Sequence, residues 1–100
     1  MAKILLADDE TDVGLIVTER LRRNGHEVEY VEDGDKAVQK TDETNYDLLI
    51  LDVRMPGHSG YEVCRHSKNS LKNAKTPVLM ISAFSEESVK WQVSLADAFL

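Results

Sequence analysis

The chain has 100 residues, of which 42% are hydrophobic, and this is enough for one small domain with a modest core. It carries 12 Lys and Arg against 18 Asp and Glu, so the net charge is −6. An acidic chain without a basic face is not expected to bind nucleic acid directly. No apolar run approaches the roughly 18 residues of a membrane span, and residues 1–3 do not begin a signal peptide. The single cysteine, Cys64, excludes an internal disulfide, is expected to be a small core residue, and fits a reducing, cytoplasmic setting.

Four segments have the pattern of β-strands. Continuous apolar runs at residues 4–7, 48–51 and 78–81 predict strands that are covered on both faces. The segment 26–31 alternates polar and apolar residues, which is typical of an edge strand or a half-exposed one.

Helical patterns follow the first two strands. The first helix has an apolar stripe that predicts its buried face, formed by Val13, Ile16, Val17 and Leu21. Leu15 lies off this stripe, and Asn24-Gly25 predicts the end of the helix. A second, shorter helix is expected after Asp33-Gly34.

Two further helices are predicted in the second half of the chain. Ser59 and Glu62 have the spacing of a capping box, and the apolar pattern from Tyr61 to Leu71 continues that helix. A fourth helix is expected to begin at Ser85, because acidic residues follow in its first turn.

The order of elements is therefore strand-helix four times, followed by the start of a fifth strand near residues 98–100. Because crossovers between parallel strands are right-handed, this order predicts an α/β fold with a doubly wound parallel sheet.

Carboxylates stand at the ends of two of the predicted buried strands. Asp8 and Asp9 follow the first apolar run, and Asp52 follows the run at residues 48–51. In open parallel sheets the carboxyl ends of the strands are where ligands bind. Two unit charges about 4 Å apart repel by roughly 4 kcal/mol at an effective dielectric near 20. A divalent cation is the simplest group that would offset this repulsion.

Two other features come to the same edge of the sheet. Pro56-Gly57 predicts a tight turn after Asp52. The apolar run at residues 78–81 ends at Ser82, so a hydroxyl would lie beside the carboxylates.

Together these residues resemble the receiver domain of two-component response regulators, the CheY-like family. The resemblance covers residues 1 to about 84 and rests on Asp8-Asp9, Asp52-x-x-Met55-Pro56-Gly57-x-x-Gly60 and Ser82-Ala83. It implies a single receiver domain over residues 1–100. It also implies a flavodoxin-like (βα)₅ fold with strand order 2-1-3-4-5.

The resemblance implies that Asp52 is the phosphoacceptor. It would take a phosphoryl group from a phosphohistidine of a sensor histidine kinase or a phosphotransfer protein, and Leu15 is a candidate kinase contact. Such a domain catalyses its own phosphotransfer and a slow autodephosphorylation, and it is not a turnover enzyme.

The implied cofactor is Mg²⁺. In the resemblance, Asp9 would bind the ion directly and Asp8 mainly through water, while Asp52 and the backbone carbonyl of Arg54 would be further ligands. Octahedral oxygen coordination with several retained waters is what Mg²⁺ prefers.

Three more residues receive roles from the resemblance. Ser82 would hydrogen-bond a phosphoryl oxygen on Asp52, and Phe99 would be the aromatic switch that couples phosphorylation to an output surface. Phe84 stands at a position where a bulky side chain would slow loss of the phosphoryl group to water.

The sequence also departs from the family pattern. Receivers carry a lysine just after the fifth strand, and here that position would fall about two residues beyond Leu100. The fifth strand is therefore expected to be incomplete and the fifth helix missing, as in a receiver truncated near strand 5. A chain that ended there is expected to be marginally stable or homodimeric.

Two alternative functions stay open at this point. One is a receiver-like adaptor that binds partners without phosphorylation. The other is a phosphatase of the haloacid dehalogenase type, which also uses a strand-end aspartate with Mg²⁺. Its signature needs a second aspartate two residues after the first, and Arg54 occupies that position.

Overall fold

The computed structural model describes residues 1–81 and 98–99. The strands are β1 Lys3–Ala7, β2 Glu27–Val31, β3 Leu48–Asp52, β4 Val78–Ile81 and β5 Ala98–Phe99. The helices are α1 Thr11–Arg23, α2 Gly34–Glu43 and α3 Gly60–Lys68. The fourth helix predicted from Ser85 lies outside the described residues.

The strands form one parallel sheet in the order β2-β1-β3-β4-β5. The predicted doubly wound sheet and its strand order are therefore confirmed. The order reverses at β1, which pairs with β2 on one side and β3 on the other. Leu6, for example, lies opposite Tyr30 on β2 and Ile50 on β3. This reversal opens a crevice at the carboxyl ends of β1 and β3.

Both faces of β1 and β3 are buried, as the continuous apolar runs predict, whereas β4 alternates buried and partly buried residues. On one face a large core forms beneath α2 and α3, and its central residues include Leu5, Leu49 and Leu51. On the other face a smaller cluster forms around Ile4 and Leu6 beneath α1. Cys64 is buried in the larger core, as expected.

The buried face of α1 differs from the predicted stripe. Gly14 and Thr18 are buried, whereas Val13 and Ile16 are exposed by 39% and 64%. The prediction for these two apolar residues is wrong, because α1 approaches β2 through the small Gly14, which contacts the Tyr30 ring. The other two residues of the predicted stripe, Val17 and Leu21, pack against the smaller cluster as expected.

The end of α3 also differs from the prediction. The helix ends at Lys68, and Leu71, expected to continue it, lies beyond the end and is exposed. Asn69 closes the helix, and its side-chain amide donates to the Arg65 carbonyl at 2.9 Å. The chain then turns towards a buried side chain, Asn73.

Asn73 joins three segments at the amino-terminal edge of the sheet. Its Oδ1 accepts from the Tyr46 N–H at 2.9 Å and from the Thr76 hydroxyl at 3.0 Å. Its Nδ2 donates to the carbonyls of Thr41 and Thr44 at 2.7 and 2.8 Å. One buried amide therefore pairs backbone groups of the α2–β3 connection, and it fixes the approach to β4.

We expect Asn73→Ala to lower the free energy of unfolding by about 2–4 kcal/mol, because it leaves several buried polar groups without partners. Urea unfolding measures this loss. Asn69→Ala is the matched control, since it removes an exposed amide with one backbone bond and should cost less than about 1 kcal/mol. Equal losses in the two variants would contradict the role given to Asn73.

Candidate functional site

Three carboxylates meet at the carboxyl ends of β1 and β3. Asp8 and Asp9 follow β1, and Asp52 is the last residue of β3. One oxygen atom from each of the three lies within 4.8 Å of the other two. The two strands are parallel neighbours in register, with Ala7 opposite Leu51, and this places the acids side by side. The sequence-predicted juxtaposition is therefore present in the structure.

The three acids differ in their exposure. Asp8 is buried, with 4% of its surface exposed, while Asp52 is half-buried and Asp9 is exposed. Burial and the neighbouring Asp8 carboxylate raise the pKa of Asp52 to about 7, against the smaller opposite effect of the Arg54 N–H. The raised pKa means that the charged form of Asp52 is less stable here than it is in water.

The donor set of this cluster suits a hard divalent cation. Three carboxylates within reach of one another supply only oxygen atoms, and a Mg²⁺ ion takes oxygen ligands and retains waters. A bound cation would also offset the repulsion that raises the pKa of Asp52. The residues present therefore fit magnesium.

The turn after β1 is held to β2. The backbone N–H of Asp8 donates to the Val31 carbonyl at 3.1 Å, and the Tyr30 hydroxyl donates to the Asp8 carbonyl at 2.7 Å. The Asp8 carboxylate accepts the Glu10 N–H at 2.9 Å, which closes the turn before α1. The backbone of Asp8 is thus paired on both sides without help from a ligand.

Hydrogen bonds hold both ends of the loop that connects β3 to α3. The Val53 N–H donates to the Ile81 carbonyl at 3.0 Å, and the Gly60 N–H donates back to the Val53 carbonyl at 2.9 Å. The predicted capping box is present, because Ser59 and Glu62 exchange hydrogen bonds at the start of α3. These bonds hold the segment that carries Arg54.

The middle of the same loop is fastened to α2. The Gly34 N–H donates to the Pro56 carbonyl at 3.0 Å, and the His58 ring nitrogen Nδ1 lies 2.7 Å from the Asp35 carboxylate. Gly57 has a φ of +76°, and a Cβ there would come within 2.6 Å of the Asp35 carboxylate. The loop is therefore held against α2 by the bond from the Gly34 N–H, by the close approach of Gly57 to Asp35, and by the contact between His58 and Asp35.

Not every sequence-predicted site residue can be placed. Arg54 is exposed, and its N–H lies 3.4 Å from the Asp52 carboxylate. Ser82 and Phe84 lie outside the described residues. Phe99 belongs to β5 opposite Met80, and its side chain is outside the described part. The predicted roles of Ser82 and Phe99 therefore stay predictions.

Tyr30, Asp35 and His58 are supporting residues that sequence reasoning did not find. His58 is exposed, and its ring contacts Asp35 at the start of α2, 23 residues earlier in the chain. Its position in a loop of known turn chemistry was the only signal in the sequence. Tyr30 gave a weaker one, as a large aromatic residue on an edge strand facing a helix.

Among the residues that the structure describes, no helix is both long enough and apolar enough to cross a membrane.

The family model for the response regulator receiver domain matches residues 4–99. Among curated proteins, the chain is 39% identical over 90 residues to the transcriptional regulatory protein ResD of Bacillus subtilis, covering 90% of this chain and 36% of ResD. It is 35% identical over 88 residues to the phosphate regulon transcriptional regulatory protein PhoB of Rhizobium meliloti, covering 88% of this chain and 39% of PhoB. The chain thus spans little more than a third of the length of these relatives.

Solved structures give the same result. The chemotaxis response regulator CheY4 of Vibrio cholerae superposes with a TM-score of 0.92 at 30% identity, over 100% of this chain and 85% of that one. The response regulator TrrA of Thermotoga maritima, solved in complex with Mg²⁺ and BeF, has a TM-score of 0.84 at 33% identity, over 100% and 85% of the two chains.

We expect Asp52→Asn to stabilise the metal-free protein by about 1–3 kcal/mol, because it removes one of three crowded charges at a half-exposed position where solvent screens part of the repulsion. Thermal unfolding in the presence of a chelator measures this gain. Asp12→Asn removes the same charge from the exposed first turn of α1 and is the control, with a small loss expected. A destabilised Asp52→Asn protein would contradict the repulsion.

We expect Gly34→Ala to lower the free energy of unfolding by about 2–4 kcal/mol, because the added Cβ would overlap the His58 backbone. Gly25→Ala is the control: its φ is +89°, but no atom lies within 4 Å of the added Cβ, so only backbone strain of about 1–2 kcal/mol is expected. Urea unfolding compares the two variants. A smaller loss for Gly34→Ala than for Gly25→Ala would show that the loop is not packed tightly against α2.

Proposed function

This chain belongs to the receiver domains of two-component response regulators, and we propose that it accepts a phosphoryl group on Asp52 in a Mg²⁺-dependent reaction. The donor is a phosphohistidine on a sensor histidine kinase or on a phosphotransfer protein. The observation that carries the proposal is the meeting of Asp8, Asp9 and Asp52 within 4.8 Å at the crevice of a receiver-type sheet.

The metal roles in this proposal are those that the resemblance to receiver domains implies. Asp9, which is exposed, would bind the ion directly, and Asp8, which is buried, would act mainly through water. Asp52 and the backbone carbonyl of Arg54 complete the protein's share of the ligands. When bound, Mg²⁺ supplies positive charge that offsets the carboxylates and the charge developing on the phosphoryl oxygens. The relative TrrA was solved with Mg²⁺ and BeF, which supports this cofactor.

Asp52 is the nucleophile in the proposed reaction. A carboxylate oxygen of Asp52 attacks the phosphorus, the P–N bond to the donor imidazole breaks, and its electron pair returns to the ring nitrogen. The half-buried position of Asp52 limits hydration of its carboxylate, which favours attack by the oxygen. Water later hydrolyses the aspartyl phosphate slowly, so the domain acts on itself and is not a turnover enzyme.

The readout of phosphorylation is also part of the proposal. Ser82 follows directly on β4, whose Ile81 lies opposite Asp52, so its hydroxyl is proposed to bond a phosphoryl oxygen. Phe99, on the neighbouring β5, is proposed to be the switch that changes an output surface.

The setting of the proposed function rests on the relatives. ResD and PhoB are named as transcriptional regulators, and this chain matches only a part of each. We propose a cytoplasmic phosphorelay in which this domain contacts a kinase, with no direct contact to nucleic acid or membrane. The homodimer is a prediction that light scattering over a range of protein concentrations checks.

The proposal is tested by intact-mass measurement after addition of acetyl phosphate. With Mg²⁺, we expect one phosphoryl adduct, absent in Asp52→Ala and strongly reduced in Asp9→Asn or with a chelator. Asp12→Asn, which removes a charge outside the cluster, should form the adduct normally.

Other outcomes separate the alternatives. An adduct that persists in Asp52→Ala would refute Asp52 as the acceptor. Kinase binding without any adduct would indicate an adaptor. Steady turnover of a phosphate ester would indicate a phosphatase of the haloacid dehalogenase type.

A further inference from the structure

We propose that the Tyr30 hydroxyl is a positioning group that holds the Asp8–Asp9 turn in its metal-binding shape before the metal arrives. This inference rests on the proposed function, because it assumes that magnesium binds at this turn. It adds a residue on β2, outside the acidic cluster, that sets how well the cluster binds the ion.

Two consecutive residues of β2, Tyr30 and Val31, hydrogen-bond the backbone carbonyl and the backbone N–H of Asp8. The register places Tyr30 opposite Leu6 and Val31 opposite Ala7. Val31 then accepts the Asp8 N–H at 3.1 Å with its carbonyl, which extends the strand ladder by one bond. The Asp8 carbonyl has left the strand, and it is the side chain of Tyr30 that reaches it, at 2.7 Å. The Tyr30 hydroxyl thus supplies the Asp8 carbonyl with a hydrogen bond where the backbone ladder between β1 and β2 has ended and the chain turns towards Asp9.

The absence of a side chain at Gly14 leaves the space that the Tyr30 ring occupies. A Cβ at Gly14 would overlap the Tyr30 ring and come within 2.6 Å of its hydroxyl oxygen. Gly14 lies inside α1, where glycine is less favourable than alanine by about 1 kcal/mol. The helix therefore carries a local cost at a position where a larger residue would push the hydroxyl away from Asp8.

The bond matters because the turn carries charges that repel Asp52. Without a cation, this repulsion favours an outward movement of the turn, and the neutral bonds from β2 oppose that movement. Burial raises the pKa of Tyr30 above its ordinary value of 10.0, so the phenol remains a donor at neutral pH. A turn that is already in place loses less entropy when it binds an ion than a turn that must be ordered.

Tyr30→Phe tests the inference, since it keeps the ring against Gly14 and removes only the hydroxyl. We expect Mg²⁺ affinity, measured by titration calorimetry with MgCl₂, to fall about tenfold, which is the size of effect seen for groups that orient metal ligands. Tyr46→Phe is the matched control: its hydroxyl is buried with no hydrogen-bond partner among the described residues, and the change should leave Mg²⁺ affinity unaltered.

Two further measurements separate positioning from general stability. Amide hydrogen exchange at Glu10, whose N–H donates to the Asp8 carboxylate, should speed up in metal-free Tyr30→Phe and stay unchanged in Tyr46→Phe. Gly14→Ala should also weaken Mg²⁺ binding, although alanine is the better helix former, because it displaces the ring.

The outcomes distinguish this inference from the proposed function. If the wild-type protein binds Mg²⁺ and loses it in Asp9→Asn, but Tyr30→Phe binds as well as wild type, the positioning role is wrong and the proposed site stands. Equal weakening in Tyr30→Phe and Tyr46→Phe would also overturn the positioning role. If Asp9→Asn binds Mg²⁺ as tightly as wild type, or wild type does not bind it, the proposed function itself fails.

Discussion

The main constraint on this structure is the repulsion between the carboxylates of Asp8, Asp9 and Asp52, which the parallel sheet brings together. Because β1 and β3 are parallel neighbours in register, the acids at their ends are forced to within 4.8 Å of one another. The apolar side chains behind them, such as Leu5 and Leu51, are buried and leave the strands no freedom to slide apart. The raised pKa of Asp52 is the local sign of this constraint. Core packing therefore keeps the three carboxylates close together, although the repulsion between them disfavours this arrangement.

Neutral hydrogen-bond donors hold the two segments that carry the acidic cluster, the turn after β1 and the loop after β3. The turn after β1 is tied to β2 through the Tyr30 hydroxyl, and the loop after β3 is tied to α2 through the Gly34 N–H. Both donors are neutral, so the acids stay in place and keep their negative potential.

The sequence predicted those parts of the molecule that follow from strand ends and turn chemistry. Apolar runs that stop at Asp8 and Asp52 were sufficient to predict the parallel sheet and the acidic cluster, because parallel strands end at a common edge, while the strand order came from the resemblance to receiver domains. The buried face of α1 was predicted only in part: Val17 and Leu21 pack against the core, but the burial of Gly14 beside the Tyr30 ring gives no signal in a count of apolar residues. The contact between His58 and Asp35 was missed for a similar reason, since it joins residues 23 positions apart that only the tertiary fold brings together.

These two kinds of residue have different freedom to vary. Asp52 is fixed by strand register, so moving it by one position would point it to the other face of the sheet, whereas Asp8 and Asp9 are placed by the turn that follows β1. The supporting residues act through single bonds on exposed or half-exposed side chains, such as Tyr30 and His58, and their loss leaves the sheet intact. Changes at the supports can therefore adjust how firmly the turn and the loop are held, and hence the affinity of the site, while the chemistry at Asp52 stays the same.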